Sequence, residues 1–357
     1  MKEKLHHFHV AILIYMIQNG VIIMSLPRLV AQNFGYNGWI ALIGLSLVAT
    51  LNIFLISLVH RFGGGRSIFK LFEDVLPQFL LYPLYAFLTC IWALTGCLVA
   101  KNYVYIFQIL SYNTTNAIYL MLLIAVLVFL FVIKGIYNLS KATTAFFWLS
   151  QWMILLLLFY FKDFEWARMT PFLFAGETHI LEGGLSVFSA FLGYELYLLL
   201  IPYVDNYKKT MKAVMIGNLL TTFAYVAISI ICFGFYSFEQ LKHMAYPVLD
   251  LLSYIQLPFI ERIESLLFGF LVFTTIITTG LYMWSAKETM HRILPKAGEK
   301  LLAFLIIGAA LAVSWIPDTL SKVQQWLQFL SYSEIAVAFV LPLLLLAILL
   351  VRKGARP

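Results

Sequence analysis

The sequence predicts an all-α polytopic membrane protein: ten transmembrane helices in two inverted sets of five, with the first and sixth helices broken. Three observations carry that prediction. The 357 residues are 62% hydrophobic and 11% charged, with a mean hydropathy of +0.90, whereas ordinary globular domains are roughly half apolar and a quarter charged. Apolar segments long enough to cross about 30 Å of hydrocarbon recur along the whole chain. Two of them are interrupted, each about a dozen residues in, by glycine and polar side chains.

The first span, near 8–30, carries the break Gln18-Asn19-Gly20, followed by Pro27. Glycine weakens a helix interior, and proline removes the bond that would reach the Ile23 carbonyl. Backbone left unpaired in hydrocarbon costs several kcal/mol, so the break must line a cavity or be covered by protein. Spans follow near 38–60, 80–110, 117–134 and 140–161. Between the second and third, Arg61-Phe62-Gly63-Gly64-Gly65-Arg66 reads as a flexible turn, then a short amphipathic helix about 67–76 lying along the membrane surface. The loop 162–179, with Pro171 and Gly176, reads as irregular. The sixth span, near 180–203, carries the second break, Leu192-Gly193-Tyr194-Glu195. Spans near 210–236, 259–286, 300–317 and 331–351 complete the set, with a loop at 237–258 long enough to cap a vestibule. Asp318 is placed to cap a short helix over 319–330, and Pro342 to kink the last span. This is one transmembrane domain over residues 1–357, with repeats about 8–161 and 180–351.

Charge fixes the orientation. Seventeen of the 24 Lys and Arg fall on the side of the termini and six on the other, Lys101 lying inside a span. The bias predicts cytoplasmic termini. It also explains the net charge of +7 without nucleic acid. A cleaved leader ending at Ala31 is rejected, because Arg28 and the polar break interrupt its apolar core. Five spans per half is an odd number, so the second unit is upside down relative to the first. Broken helices at corresponding places then mark a ligand site between the repeats.

Free N–H groups at a half-helix start attract an anion, and unpaired carbonyls at a half-helix end attract an ammonium or a cation. The two breaks together suit a small zwitterion, an amino acid being the obvious candidate. Helix packing through small residues is the competing reading of Gly20 and Gly193. Glu195 lies near mid-membrane, where a carboxylate marks a functional site by default. It could hold a ligand ammonium, carry a proton, or pair with Lys101 in the third span, functionally or as a structural lock. Lys101 could also snorkel outward. Thr274, Thr275, Thr278 and Thr279 form i, i+4 pairs on the eighth span. They could help coordinate Na⁺, or they bond their own backbone or a neighbour. Asn218 and Gln151 read as interhelical glue. His6, His7 and His9 lack a fourth ligand, Glu261, Arg262 and Glu264 read as a local ion-pair cluster, and the three cysteines have no metal spacing. Nothing resembles a phosphate loop or a nucleophile with a paired base, so no enzyme and no cofactor is expected.

The residues also resemble a known family. Gly20 with Pro27-Arg28 and Gly38-Trp39 looks like the first helix of the bacterial spore-germination B-subunit (GerAB-type) permeases. Phe191-Leu192-Gly193-Tyr194-Glu195 with Pro202 resembles the sixth. Tyr246-Pro247, the run 259–265 and Trp315-Ile316-Pro317-Asp318 resemble the entry to the eighth helix and the exit of the ninth. The resemblance implies a ten-helix fold of the amino acid–polyamine–organocation (LeuT-like) superfamily. It implies a nutrient-sensing role in the spore inner membrane, exercised with an A subunit and a lipoprotein C subunit. It assigns ligand contact to Asn19, Gly20, Val21, Gly193, Tyr194 and Glu195. One feature departs from some superfamily transporters: the fifth span has only Lys141, at its start, and no mid-helix lysine in place of sodium. Three readings stay open: a receptor that binds a nutrient, a secondary amino-acid transporter, and a pore-forming or structural subunit with a vestigial site.

Overall fold

The computed structural model describes residues 4–111, 115–170, 180–255 and 263–354. Of the expected cluster, Glu261 and Arg262 lie outside what is described, as does the half of the loop 162–179 from residue 171 on. The described residues are helical, with one isolated bridge between Leu5 and Val204.

Helix α1 (His7–Gln18) stops at the predicted break, a 3-10 turn covers Val21–Met24, and α2 (Leu26–Phe34) resumes. Pro27 sits in the first turn of α2, where its missing N–H has no helical partner to lose. Next come α3 (Trp39–Gly63) and the surface helix α4 (Ile68–Glu73). In α4, Ile68, Phe69, Leu71 and Phe72 are buried and Lys70 is exposed, as an interfacial helix requires. Helix α5 (Gln78–Ser111) precedes α6 (Ala117–Gln151), which continues in 3-10 form over Trp152–Lys162. Gly135, inside α6, has φ +81° and ψ 172°. The chain reverses there: the rings of Phe131 and Phe146 lie 6.2 Å apart, where a straight helix would separate them by about 22 Å. The predicted fourth and fifth spans are therefore antiparallel arms joined at one glycine.

Helix α7 (Ile180–Phe188), a 3-10 turn at Ser189–Phe191, another at Tyr194–Leu196, α8 (Tyr197–Leu200) and a last turn at Ile201–Tyr203 make up the second broken span. Its two halves meet at 51°. The chain ends with α9 (Tyr207–Phe235), the short α10 (Phe238–His243) and α11 (Pro247–Ser253), then α12 (Ile263–Ile293), α13 (Glu299–Ser314) and α14 (Leu320–Gly354). Two expectations are corrected here. The residues expected to form a short separate helix over 319–330 are the first turns of α14, and Asp318 pairs with Lys322 at 2.7 Å rather than capping. Pro342 lies inside α14.

Among the described residues, six helices are long and apolar enough to cross a membrane, or seven with the bent pair. Burial separates them. The apolar window of α12 is 72% buried and that of α6 only 22%, so α12 is central and α6 faces lipid. Hydrophobic burial does not hold helices together in lipid; close packing and polar contacts do. Helix α1 presses on α9 at Gly217, where a Cβ would lie 2.6 Å from the Ala11 carbonyl oxygen. Asn218 of α9 donates to Thr50 Oγ1 (3.2 Å) and Ser46 Oγ (3.3 Å) of α3, and Ser46 shares a 2.5 Å hydrogen bond with Thr222. Tyr15 donates to Gln151 at 3.3 Å, so both amides act as the glue expected of them. The N-terminal segment is laced onto the end of the second broken span: Leu5 N donates to Tyr203 O at 2.8 Å, and Lys4 pairs with Asp205.

Candidate functional site

The two breaks meet. Gly193 has φ +110°, a conformation that L side chains rarely adopt, and it lies against Ile17 in the last turn of α1. Gln18 Nε2 crosses to the Phe191 carbonyl at 2.6 Å and to Asn218 Oδ1 at 3.1 Å. The Tyr225 hydroxyl of α9 bridges the Gln18 carbonyl (2.6 Å) and the Ala190 carbonyl (2.9 Å). Thr278 Oγ1 reaches the Ile17 carbonyl at 3.4 Å. The carbonyls expected to stay bare for a ligand ammonium are thus largely taken by protein side chains, as burial in an apolar interior demands.

Glu195 folds back across its own break. Gly193 N donates to both carboxyl oxygens, at 3.0 and 2.8 Å. Glu195 is 3% exposed and Glu334 1% exposed. Glu334 falls within the predicted span 331–351 but carried no expected role. Because α14 begins at Leu320, Glu334 sits about 21 Å along it.

A cavity of about 560 Å³ lies above the breaks, within the range of small-molecule sites. Gln18, Gly20, Thr95, Asn102, Tyr282 and Glu334 line its inner part, and Arg28, Glu182, Tyr246 and Gln324 its mouth. Four buried acceptor-capable atoms on residues that line the cavity lack a hydrogen-bond partner: Gln18 Oε1, Thr95 Oγ1, Asn102 Oδ1 and Glu334 Oε1. Native interiors leave few such groups unmet, so a cluster of them around one cavity points to a ligand that donates. At the mouth, Arg28 Nε is likewise buried without a partner. Burial raises the Tyr246 hydroxyl above the ordinary tyrosine value, so it stays a neutral donor, and Gln324 donates to it at 3.1 Å.

The predicted residues divide accordingly. Gly20 is in the wall with open space where a side chain would go, and Thr278 is in the wall too. The backbone of Val21 opens the 3-10 turn beside Gly20. Asn19 is 6% exposed, with both amide atoms partnerless. Glu195 is not among the lining residues; its carboxylate is turned onto its own break at Gly193 N. Tyr194 is an anchor: its hydroxyl accepts from Asn52 Nδ2 at 2.9 Å, and the same nitrogen holds the Ala338 carbonyl of α14 at 2.8 Å. Lys101 does not pair with Glu195. Its ammonium bonds the Ser314 carbonyl and, at 2.9 Å, the Pro317 carbonyl, closing the end of α13. Thr274 and Thr275 both bond the Leu271 carbonyl (2.8 and 3.0 Å), and Thr279 bonds the Gly96 carbonyl (3.1 Å). Their protons thus go to backbone carbonyls, of their own helix for Thr274 and Thr275 and of α5 for Thr279. Among the described residues no group of three or more metal-ligating side chains occurs. His9 Nδ1 is bonded to Thr144 Oγ1 at 2.6 Å.

The model of the family described as "Spore germination protein" matches residues 4–323. This chain belongs to the spore germination protein family. Spore germination protein GerQB of Bacillus cereus is 23% identical over 303 residues, 84% of this chain and 83% of that one. Spore germination protein B2 of Bacillus subtilis is 24% identical over 279 residues, covering 74% and 73%. Spore germination protein A2 of the same organism is 24% identical over 352 residues, covering 94% and 92%. In three dimensions the germination protein has the fold of LeuT-type transporters. The structure of Mhp1, a nucleobase-cation-symport-1 family transporter in a closed conformation with bromovinylhydantoin bound, superposes with a TM-score of 0.65 at 12% identity, covering 96% of this chain and 78% of that one. A manganese transporter from Eremococcus coleocola gives 0.59 at 12% identity, with the same coverages. The chain is thus a multi-pass membrane protein of receptor or transporter type and not an enzyme.

Proposed function

We propose that this germination protein is the nutrient-sensing B subunit of a germinant receptor, binding a small amine-bearing nutrient, an amino acid first among candidates, in the cavity between its two breaks. The observation that carries the proposal is the set of four partnerless acceptors around a 560 Å³ cavity at the meeting point of the broken helices. The chain crosses the membrane ten times, counting both broken spans, both arms of α6 and α13, in two inverted sets of five. The termini face the cytoplasm, and the bilayer is the spore inner membrane. The receptor works with A and C subunits. Ligand binding favours one of two arrangements of the broken helices, and the partner subunits read that shift. A ligand moves such an equilibrium only through unequal affinity for its two states.

The test is a thermal-shift screen of the purified full chain against amino acids, sugars and nucleosides. A stabilising amino acid whose effect disappears in Gly20→Leu supports the reading; a screen in which only sugars or nucleosides stabilise overturns the ligand class. The transporter-like fold favours a second reading, secondary transport of the same nutrient. Counterflow of labelled amino acid into proteoliposomes holding this chain alone would establish it, and binding without flux would establish the receptor.

A further inference from the structure

We propose that a second cavity, on the side of the chain termini and sharing no residue with the first, binds the phosphate of an anionic ligand, either a lipid headgroup of the adjoining leaflet or a soluble phosphate ester. The proposal is independent of the nutrient site.

This cavity, of about 330 Å³, lies between the surface helix α4, the end of α12 and the end of the second broken span. It is large enough for a headgroup. Three cations converge on it. Arg66 and Lys70 come from the turn before α4 and from α4 itself, and Arg292 from the last turn of α12. One carboxylate shares the wall, that of Glu288, and Lys287 already holds it at 2.7 Å. The other acidic neighbours stand to the side: Asp74 is 3.4 Å from Arg66, and Glu73 is 3.9 Å from Arg292. Pairs of that length between partly exposed side chains are weak and yield readily to a competing anion. Lys70 is exposed and pairs with no carboxylate among the described residues. The Ser67 hydroxyl makes no cap bond to α4 and adds a neutral donor to the wall.

The setting distinguishes the cavity from a solvated basic face. Leu199, Pro202 and the buried Trp284 supply its apolar lining, so an anion seated there is partly withdrawn from water and feels the cations more strongly. Arg292 is braced on the Phe69 ring, 4.7 Å from its centre. Phe69 belongs to the buried apolar face of α4, which sets that helix and its cations at the level of the headgroups. Basic pockets between helices on the cytoplasmic side of a membrane are where anionic headgroups seat, and charged donors of this kind match phosphate oxygens. One wall is the end of the second broken span, where the Tyr203 carbonyl also accepts from Leu5 N at 2.8 Å. A phosphate held by all three cations therefore ties α4 and α12 across that end.

The experiment is a thermal-shift titration of the purified full chain in an uncharged detergent. The probes are inorganic phosphate, glycerol 3-phosphate and short-chain phosphatidylglycerol. Phosphatidylcholine of the same chain length and sodium chloride at matched ionic strength serve as controls. A saturable rise in Tm of roughly 3–6 °C is expected at about a hundred times Kd. Half-saturation at a lower concentration of phosphatidylglycerol than of glycerol 3-phosphate assigns the site to lipid, and the reverse order assigns it to a soluble ester. Lys70→Gln and Arg292→Gln should each raise the half-saturating concentration by about tenfold or more. Lys296→Gln, which alters an exposed cation outside the cavity, should leave it unchanged. The proposal is overturned by the absence of a saturable shift, by an equal shift with phosphatidylcholine or chloride, or by a shift that neither cavity variant weakens. Should Arg292→Gln fail to fold, Lys70→Gln decides, since that side chain is exposed.

Discussion

Replacing Gly193 by alanine is the sharpest challenge to this picture, because two independent effects oppose the change. The first is conformational. Gly193 sits at φ +110°, where a residue with a Cβ is strained by about 1–3 kcal/mol. The second is packing. A Cβ at 193 would fall under 3.0 Å from Ile17 Cγ2, an overlap of the kind that costs about 1–3 kcal/mol when a packed interior must shift. The last turn of α1 cannot simply retreat, because Gln18 is tied to Phe191, Asn218 and Tyr225. Together the terms give roughly 2–6 kcal/mol, a large share of the stability of a folded protein.

The assay is a double-mutant cycle on purified protein, following Tm and denaturant midpoint for Gly193→Ala, Ile17→Ala and the pair. Gly193→Ala alone should lower Tm by roughly 5–15 °C. In the pair, Ile17→Ala should return the packing part, a coupling of about 1–3 kcal/mol, while the φ strain persists. A Gly193→Ala protein with wild-type Tm, or a cycle with no coupling, would refute the contact between the breaks and the cavity built on it.

Three further outcomes separate recognition from scaffolding. Gly20→Leu meets no neighbour within 4 Å at its Cβ and keeps an ordinary φ of −93°, so Tm should hold within about 2 °C while ligand stabilisation falls away, the side chain filling cavity space. Tyr225→Phe removes the donor shared by the Gln18 and Ala190 carbonyls; a loss of about 1–3 kcal/mol by denaturant titration is expected. Lys101→Met strips the Ser314 and Pro317 carbonyls of their partner and should destabilise by a similar 1–3 kcal/mol or so, with ligand Kd in calorimetry unchanged.

Much of the architecture was legible because membrane physics leaves few options. Apolar length gave the all-helical membrane class, and glycine beside polar side chains (Gln18 and Asn19 at the first break, Glu195 at the second) gave both breaks to within a residue or two. Two things were hidden, for physical reasons. Span boundaries read from hydropathy end where polar residues begin, yet α14 runs on through Ser321, Gln324, Gln325 and Gln328 because that stretch borders the cavity mouth rather than lipid. The predicted last span therefore began about a dozen residues too late. The second was partner choice. Lys101 and Glu195 are the obvious opposite charges, and composition cannot show that α13 ends beside Lys101 with carbonyls to satisfy. The threonines of α12 hid similarly, since a hydroxyl bonded to its own backbone and one facing a cation look alike in sequence.

The capped carbonyls change how recognition is divided at this site. Had the bare main chain gripped the ligand, selectivity would be built into the breaks and could not vary without rebuilding them. Instead Gln18, Tyr225 and Thr278 hold the broken ends in place, and the open acceptors belong largely to side chains, those of Gln18, Thr95, Asn102 and Glu334. Of these, only Gln18 also braces the breaks. Thr95, Asn102 and Glu334 reach the cavity from α5 and α14, unbroken helices that keep their backbone whatever side chain they carry. Under the proposed function, ligand preference can therefore change by exchange of three side chains on these helices while the break geometry stays. Swapping Thr95 or Asn102 should accordingly shift which amino acid stabilises the protein without moving the ligand-free Tm, whereas exchange of Gln18 should move both.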